Sequence, residues 1–215
     1  MTSRLFRWVF LALIAIFATY VYWWRQAILA ADSEIGTSPF LLGYSLAICI
    51  SYWLLVRRVP LAKGSASPAL FRRFVAFYLD FFFAFLAILP WLGLITVLTE
   101  WHRTGLFRWV VKRTTSAPDD GWIGGVAMSA FALWLLIYFA YPLKRERPSP
   151  GTCIMGYRIA ADYGREITAW VALDRVIKGS IALGFWPITL FIGRNKDQGK
   201  LWFDKTSRTH AETLE

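Results

Sequence analysis

Apolar residues in this chain gather into long runs separated by short, basic stretches. Four runs, from about Leu5 to Trp24, Phe40 to Val56, Phe74 to Leu98 and Gly121 to Tyr141, each approach the roughly 20 residues a helix needs to cross a hydrocarbon core of about 30 Å. Trp23, Trp24, Trp101, Trp122 and Tyr141 lie near their ends, where amphipathic rings favour the headgroup layer. The pattern predicts an all-α membrane protein, a polytopic helical bundle with four spans. A fifth run, Ile181 to Ile192, is shorter, with Pro187 inside it and Lys178 and Arg194 at its flanks. Runs of about 10–14 residues re-enter or lie in the interface more often than they span. A helix begun near Trp170 would be long enough to cross, but it would carry Asp174, Arg175 and Lys178 into the bilayer.

Charge orients these runs. With the N-terminus inside and the fifth run not crossing, residues 1–7, 57–73, 144–180 and 194–215 share one side and hold 2, 5, 7 and 5 Lys/Arg, 19 in all. The opposite loops, 25–38 and 99–121, hold 1 and 4. The positive-inside bias predicts a multi-pass protein of the plasma (cell inner) membrane with both termini in the cytoplasm. The first run has signal-peptide traits, with Arg4 and Arg7 before it and Ala27, Ala30 and Ala31 after it. Its apolar stretch exceeds the usual length of about 7–15 residues and Trp23-Trp24-Arg25 leads poorly into a cleavage site, so an uncleaved helix is expected.

Composition agrees: at 57% hydrophobic residues the chain has more apolar surface than a soluble domain covers. The net charge of +10 would suit a nucleic-acid binder, but the charges cluster beside apolar runs, so the lipid bilayer and not nucleic acid is the expected partner. Cys49 and Cys153 make no disulfide framework or metal spacing, and His102 and His210 are too far apart for a local ligand motif. No metal and no cofactor is expected. No Ser/His/Asp arrangement, zinc motif or dinucleotide fingerprint supports an enzyme. Gly151-Thr-Cys-Ile-Met-Gly156 has the glycine spacing of a phosphate loop, but Tyr157 occupies the lysine position. A tight turn into an extended piece, Gly156 to Ala161, fits better. Asp162-Tyr-Gly164-Arg then signals a turn into a second piece, giving a small cytoplasmic β-hairpin-like element. Between the third and fourth runs, Leu106 to Arg113 puts Arg108 and Lys112 on one helical face and Phe107, Val110 and Val111 largely away from it. That spacing suits a short helix in the membrane surface, or a solvated loop. Thr168 is placed to cap a helix carrying Asp174, Arg175 and Lys178, and Gly125 and Ser129 have helix-packing spacing.

Asp80 is the residue most out of place. A carboxylate at the centre of a membrane helix costs about 2.5–3.5 kcal/mol on insertion scales, so it faces protein or water and marks function. On a helix Arg73 and Asp80 are offset by only about 20°, with about 10.5 Å of rise between them. Ala76, Ala84 and Ala87 fall near the same line, while Phe74, Phe82 and Phe85 point elsewhere and Phe77 intrudes. This stripe is expected to pack on protein while the rings meet lipid. Asp80 is too deep for an easy bridge to Arg73, because side chains lean toward the helix N-terminus. A third group or a water is expected to complete the site.

Arg73-Phe-Val-Ala76-Phe-Tyr-Leu-Asp80 resembles the opening signature of the RDD family of membrane proteins. Pro150-Gly151-Thr-Cys-Ile-Met-Gly156-Tyr-Arg158-Ile is similar to that family's glycine loop, and Leu201-Trp-Phe-Asp204-Lys-Thr-Ser-Arg-Thr209 to its closing motif. The resemblance covers residues 71–210. It leaves 1–60 as an added N-terminal helix pair and 211–215 as a tail. It implies that Arg73 is the family's arginine, Asp80 and Asp204 its two aspartates, Gly151 and Gly156 its motif glycines, and that Arg175 falls where an arginine is frequent. Thr152 stands where a basic residue is usual, which argues against an anion role for that loop. Phe203 replaces a histidine, which argues against a His–Asp relay. Transport is the activity usually proposed for the family. The expected function is translocation of a small ion or solute, with cation/proton exchange as one form, at a site of Arg73, Asp80 and Asp204. A homo-oligomer is expected, because four or five spans are few for a transporter. The alternative is a non-catalytic partner or assembly subunit of another membrane protein, in which the same residues are a structural network.

Overall fold

The computed structural model describes residues 3–29, 34–58, 67–112, 120–162, 165–185 and 200–214. Two compact units divide the chain. One comprises Met1–Ser3, Tyr52–Phe82 and Leu135–Glu215, and the other Arg4–Ser51 with Phe83–Trp134. Helices α3 (Leu70–Thr104) and α4 (Asp120–Lys144) contribute residues to both.

Among the described residues, the segments Leu70–Thr104 and Gly121–Lys144 are the two helices long and apolar enough to cross a membrane. This corrects the expectation of four spans. α1 (Ser3–Leu29) and α2 (Pro39–Arg58) are long helices, but their apolar parts are confined to Val9–Val21 and Pro39–Leu54. At about 1.5 Å per residue these cover only about 20 and 24 Å, short of a hydrocarbon core of about 30 Å. Arg4, Arg7 and Arg25 bound the first and Arg57 and Arg58 the second. The fifth run begins within α6 (Ala169–Gly184). Its continuation through Pro187 falls in residues 186–199, outside the described residues, as do Tyr163 and Gly164 of the expected turn.

In the unit of residues 4–51 and 83–134, Phe17, Leu41, Ile48, Leu86 and Ala87 form a buried cluster, with the Tyr44 ring stacked on Phe17. Pro90 lies inside α3, which continues through it to Thr104. Proline removes one backbone donor from the preceding turn. There the Ser45 hydroxyl donates to Ala87 O and accepts from Trp91 Nε1 at 2.9 Å. β1 (Glu34–Gly36) and β2 (Val110–Lys112) pair antiparallel, with Ile35 opposite Val111. Of the two readings of 106–113, a surface helix or a solvated loop, neither gave the strand that forms over Val110–Lys112. The β-branched pair Val110-Val111 takes a ladder position instead, where its shape packs well.

In the unit of residues 52–82 and 135–215, the Tyr52 hydroxyl donates to Tyr138 O at 2.7 Å while the two rings stack. Beyond α4 come α5 (Pro150–Ile154), β3 (Tyr157–Ala161), α6, α7 (Trp202–Thr206) and β4 (Thr209–Thr213). Gly156 has φ +68°, the left-handed conformation that lets the chain leave α5 and enter β3 at once. β3 lies where an extended piece was expected, but its partner is β4, with Ala160 opposite His210 and Arg158 opposite Glu212. The local hairpin is therefore corrected. After Asp162 the chain runs instead to Thr168, whose hydroxyl accepts from Val171 N at 3.3 Å and caps α6. Two short sheets thus stand beside the helices of a chain expected to be all-α. α6 exposes Trp170, Ile177 and Ile181 and buries Ala172, Arg175 and Ala182, so its outer face is the apolar one.

Candidate functional site

The α3 stripe is buried along its length: Arg73, Ala76, Asp80, Ala84 and Ala87 are each at most 4% exposed. Phe71, Tyr78, Phe81, Phe82 and Phe85 on its other faces are exposed. Small side chains on the stripe allow close approach of the backbone. Gly151 uses that space. A Cβ added there would run into Ala76 O and lie 2.8 Å from Asp80 Cγ.

Asp80 is satisfied by neutral donors. Gly151 N donates to Oδ1 at 2.7 Å and the Tyr138 hydroxyl to the same oxygen at 3.3 Å. The Ser149 hydroxyl donates to Oδ2. Ser149 is also the N-cap of α5, with Pro150 in the first turn, so Asp80 fastens the start of that short helix to α3. Arg73 shares the stripe with Asp80, but the groups that meet Asp80 are Gly151, Ser149 and Tyr138.

Arg73 turns to the other aspartate. Its Nη1 donates to Asp204 Oδ2 at 2.6 Å and its Nη2 to the Ser67 hydroxyl at 3.2 Å. Arg175 Nη2 lies 2.6 Å from Asp204 Oδ1. That contact is one of charge, because the oxygen has no aligned hydrogen-bond donor. Arg175 Nη1 donates to the Thr209 hydroxyl, and its guanidinium carbon lies 5.3 Å from the centre of the Phe203 ring. Phe203 thus offers a π face to Arg175. Asp204 Oδ2 also accepts from Leu201 N at 3.0 Å, which caps α7. Burial works against the Asp204 charge, yet Arg175, Arg73 and the Leu201 N–H outweigh it and hold the carboxyl below the usual carboxylate range.

Both groupings border one cavity of about 100 Å³, whose walls include Arg73, Asp80, Arg175, Tyr157, Thr152 and Phe203. Burial is the chief reason the Tyr157 hydroxyl is pushed well above its ordinary value, so it remains a proton donor. The structure therefore gathers Arg73, Arg175 and Asp204 into direct contact. It places Asp80 on the same cavity with Gly151 bonded to it, and Gly156 at the left-handed turn between α5 and β3. Sequence reasoning missed Tyr138 and Ser149, and named Tyr157 and Thr209 within motifs without giving either a role in the site. A signal existed for one of them: Ser149-Pro150 is the cap-then-proline opening of a helix.

Two helices are long and apolar enough to cross a membrane, and the first carries at its start a buried Arg–Asp network. The RDD family model matches residues 67–208, and the chain belongs to the RDD family. α1 and α2 lie outside the matched residues. Comparison with curated proteins and with solved structures finds no match.

Proposed function

We propose that the chain binds a small ion or polar solute in the cavity between Arg73, Asp80 and Arg175 and passes it across the membrane. The observation that carries this reading is the cavity itself, bounded by buried groups of both charges at the ends of apolar helices. Ionisable groups are expensive in such a setting and mark solute and ion pathways. The two carboxylates differ in how they are held. Asp204 is locked by two guanidiniums, whereas Asp80 is held by hydroxyls and one amide, which can exchange partners. Cation/proton exchange would proceed by release of Asp80 from Ser149 and Tyr138. The protein acts as a non-enzymatic carrier and assembles with copies of itself. The test is reconstitution into sealed vesicles, with a pH-sensitive dye read as Na⁺, K⁺, Li⁺ and then small anions are added. Flux that Asp80→Asn lowers at least tenfold at equal incorporation is the expected result. Silence from well-folded wild type toward all of these rejects translocation.

The second reading, a non-transporting assembly or regulatory subunit, is favoured by the way both carboxylates tie neighbouring elements together. Asp80 fastens α5 and Asp204 fastens α7. On that reading Asp80→Asn lowers abundance or partner recovery and no flux is seen.

We place both termini, and with them the cavity, on the cytoplasmic side of the cell inner membrane, on the distribution of Lys and Arg. A cysteine introduced at Thr213 should resist membrane-impermeant label added to intact cells, over the background of Cys49 and Cys153. Efficient labelling would reverse the orientation.

A further inference from the structure

The cavity has unused donors. Arg73 spends Nη1 and Nη2 on Asp204 and Ser67, but its Nε is buried with no hydrogen-bond partner. Tyr157 is 4% exposed and lines the same cavity, and its hydroxyl has no hydrogen-bond partner among the described residues. Buried N–H and O–H groups are rarely left unpaired, because each costs the free energy of a lost hydrogen bond. The Arg73 N–H asks for an acceptor, and the Tyr157 hydroxyl on the same cavity can donate to it as well.

The charges ask for the same thing. Arg73 and Arg175, each with side chains 5% exposed, share Asp204 as their carboxylate among the described residues. One positive charge in that triad is therefore left over. Asp80 does not cancel it by contact, because its oxygens are taken up by Gly151, Ser149 and Tyr138. Arg147 adds a further guanidinium to the cavity wall. A guanidinium presents its N–H groups as a planar fork, which suits planar oxyanions.

We infer that the cavity is a binding site for a small oxyanion of the carboxylate or inorganic type, held by Arg73 Nε, the Tyr157 hydroxyl and the surplus charge of the Arg73–Asp204–Arg175 triad. It rests on the reading of this cavity as the substrate site and names the chemical class of what enters. The cations come from α3 and α6 and not from the glycine loop, which is why Thr152 in place of a basic residue does not remove the site. Thr152 is itself engaged with Ser149, its hydroxyl 2.9 Å from the Ser149 hydroxyl. A volume of about 100 Å³ admits a ligand of a few heavy atoms and not a large one.

The test is isothermal titration of the full-length protein in detergent with sodium acetate, sodium nitrate and sodium phosphate, each against sodium gluconate at equal ionic strength as the bulky control. Saturable binding of at least one small anion is expected, weakened tenfold or more by Tyr157→Phe. That substitution removes a hydroxyl without a hydrogen-bond partner among the described residues, so the anion-free unfolding midpoint should match wild type. No saturable response from any of the three anions overturns the site. An equal response from wild type and Tyr157→Phe overturns it too, as does a response that follows Na⁺ and not the anion. Vesicle flux of the same anion separates the two claims. Binding without flux keeps the site and rejects translocation. Cation flux without anion binding keeps translocation and rejects the site.

Discussion

Asp204→Asn is expected to cost about 3–5 kcal/mol, the range for removing one partner of a buried ion pair. The substitution keeps the shape of the side chain but leaves two guanidiniums, each 5% exposed, without their carboxylate. It also weakens the acceptor that caps α7 through Leu201 N. The expected observation is a large drop in the thermal unfolding midpoint in detergent and depletion from the membrane fraction. Arg175→Gln should cost less, because Arg73 still neutralises Asp204 and no charge is left buried without a partner there, although the Thr209 hydroxyl loses its donor. An equal or larger effect from Arg175→Gln would show that Asp204 is not the hub. The same carboxylate sets a pH dependence. Its folded pKa lies below the unfolded value of about 3.9, so its stabilisation is fully present above that value. It is lost only as pH falls through the depressed folded pKa. The Asp204 contribution to the midpoint should therefore hold from neutral pH down to about pH 4 and fall below it. Asp204→Asn should lack this component of the acid loss.

The α3 stripe was legible because a 3.6-residue period is local, and Arg73, Ala76, Asp80, Ala84 and Ala87 declare it within fifteen residues. The Arg73–Asp204 pair joins residues 131 positions apart, which no periodicity encodes. Family resemblance supplied that pairing of motifs, while charge counting only required the two ends to share a side. Register and partner choice were the least legible. The extended piece at 157–161 carries its own signal, but nothing local says that its partner is 209–213 and not the segment after Asp162. Short segments also fit two periods at once. Leu106 to Arg113 satisfies a helical reading through Arg108 and Lys112, and the strand at Val110–Lys112 forms because Glu34–Gly36 is there to pair with it. The span count failed for a simpler reason. The runs were measured to their aromatic and basic ends, whereas the apolar part of α1 stops at Val21 and that of α2 at Leu54.

Gly151→Ala is the second change expected to act strongly, and it probes how α5 meets α3. An alanine Cβ at this position meets Ala76 O, part of the backbone of a long helix, and Asp80 atoms 2.8 and 2.9 Å away that three donors hold in place. Neither neighbour can give way as a flexible side-chain end does, so overpacking should cost about 1–3 kcal/mol. Relief by moving α5 outward would break the Gly151 N–Asp80 hydrogen bond, adding the cost of an unsatisfied buried acceptor. Gly179→Ala is the matched control in the same unit. Its Cβ would meet Phe203 ring atoms at 3.8 and 3.9 Å, an ordinary contact, and α6 gains a better helix former there. Unfolding midpoints in detergent should fall for Gly151→Ala and stay level or rise for Gly179→Ala. If the two variants are equally stable, the close approach of α5 to Asp80 is wrong, and with it the reason a glycine stands beside that carboxylate.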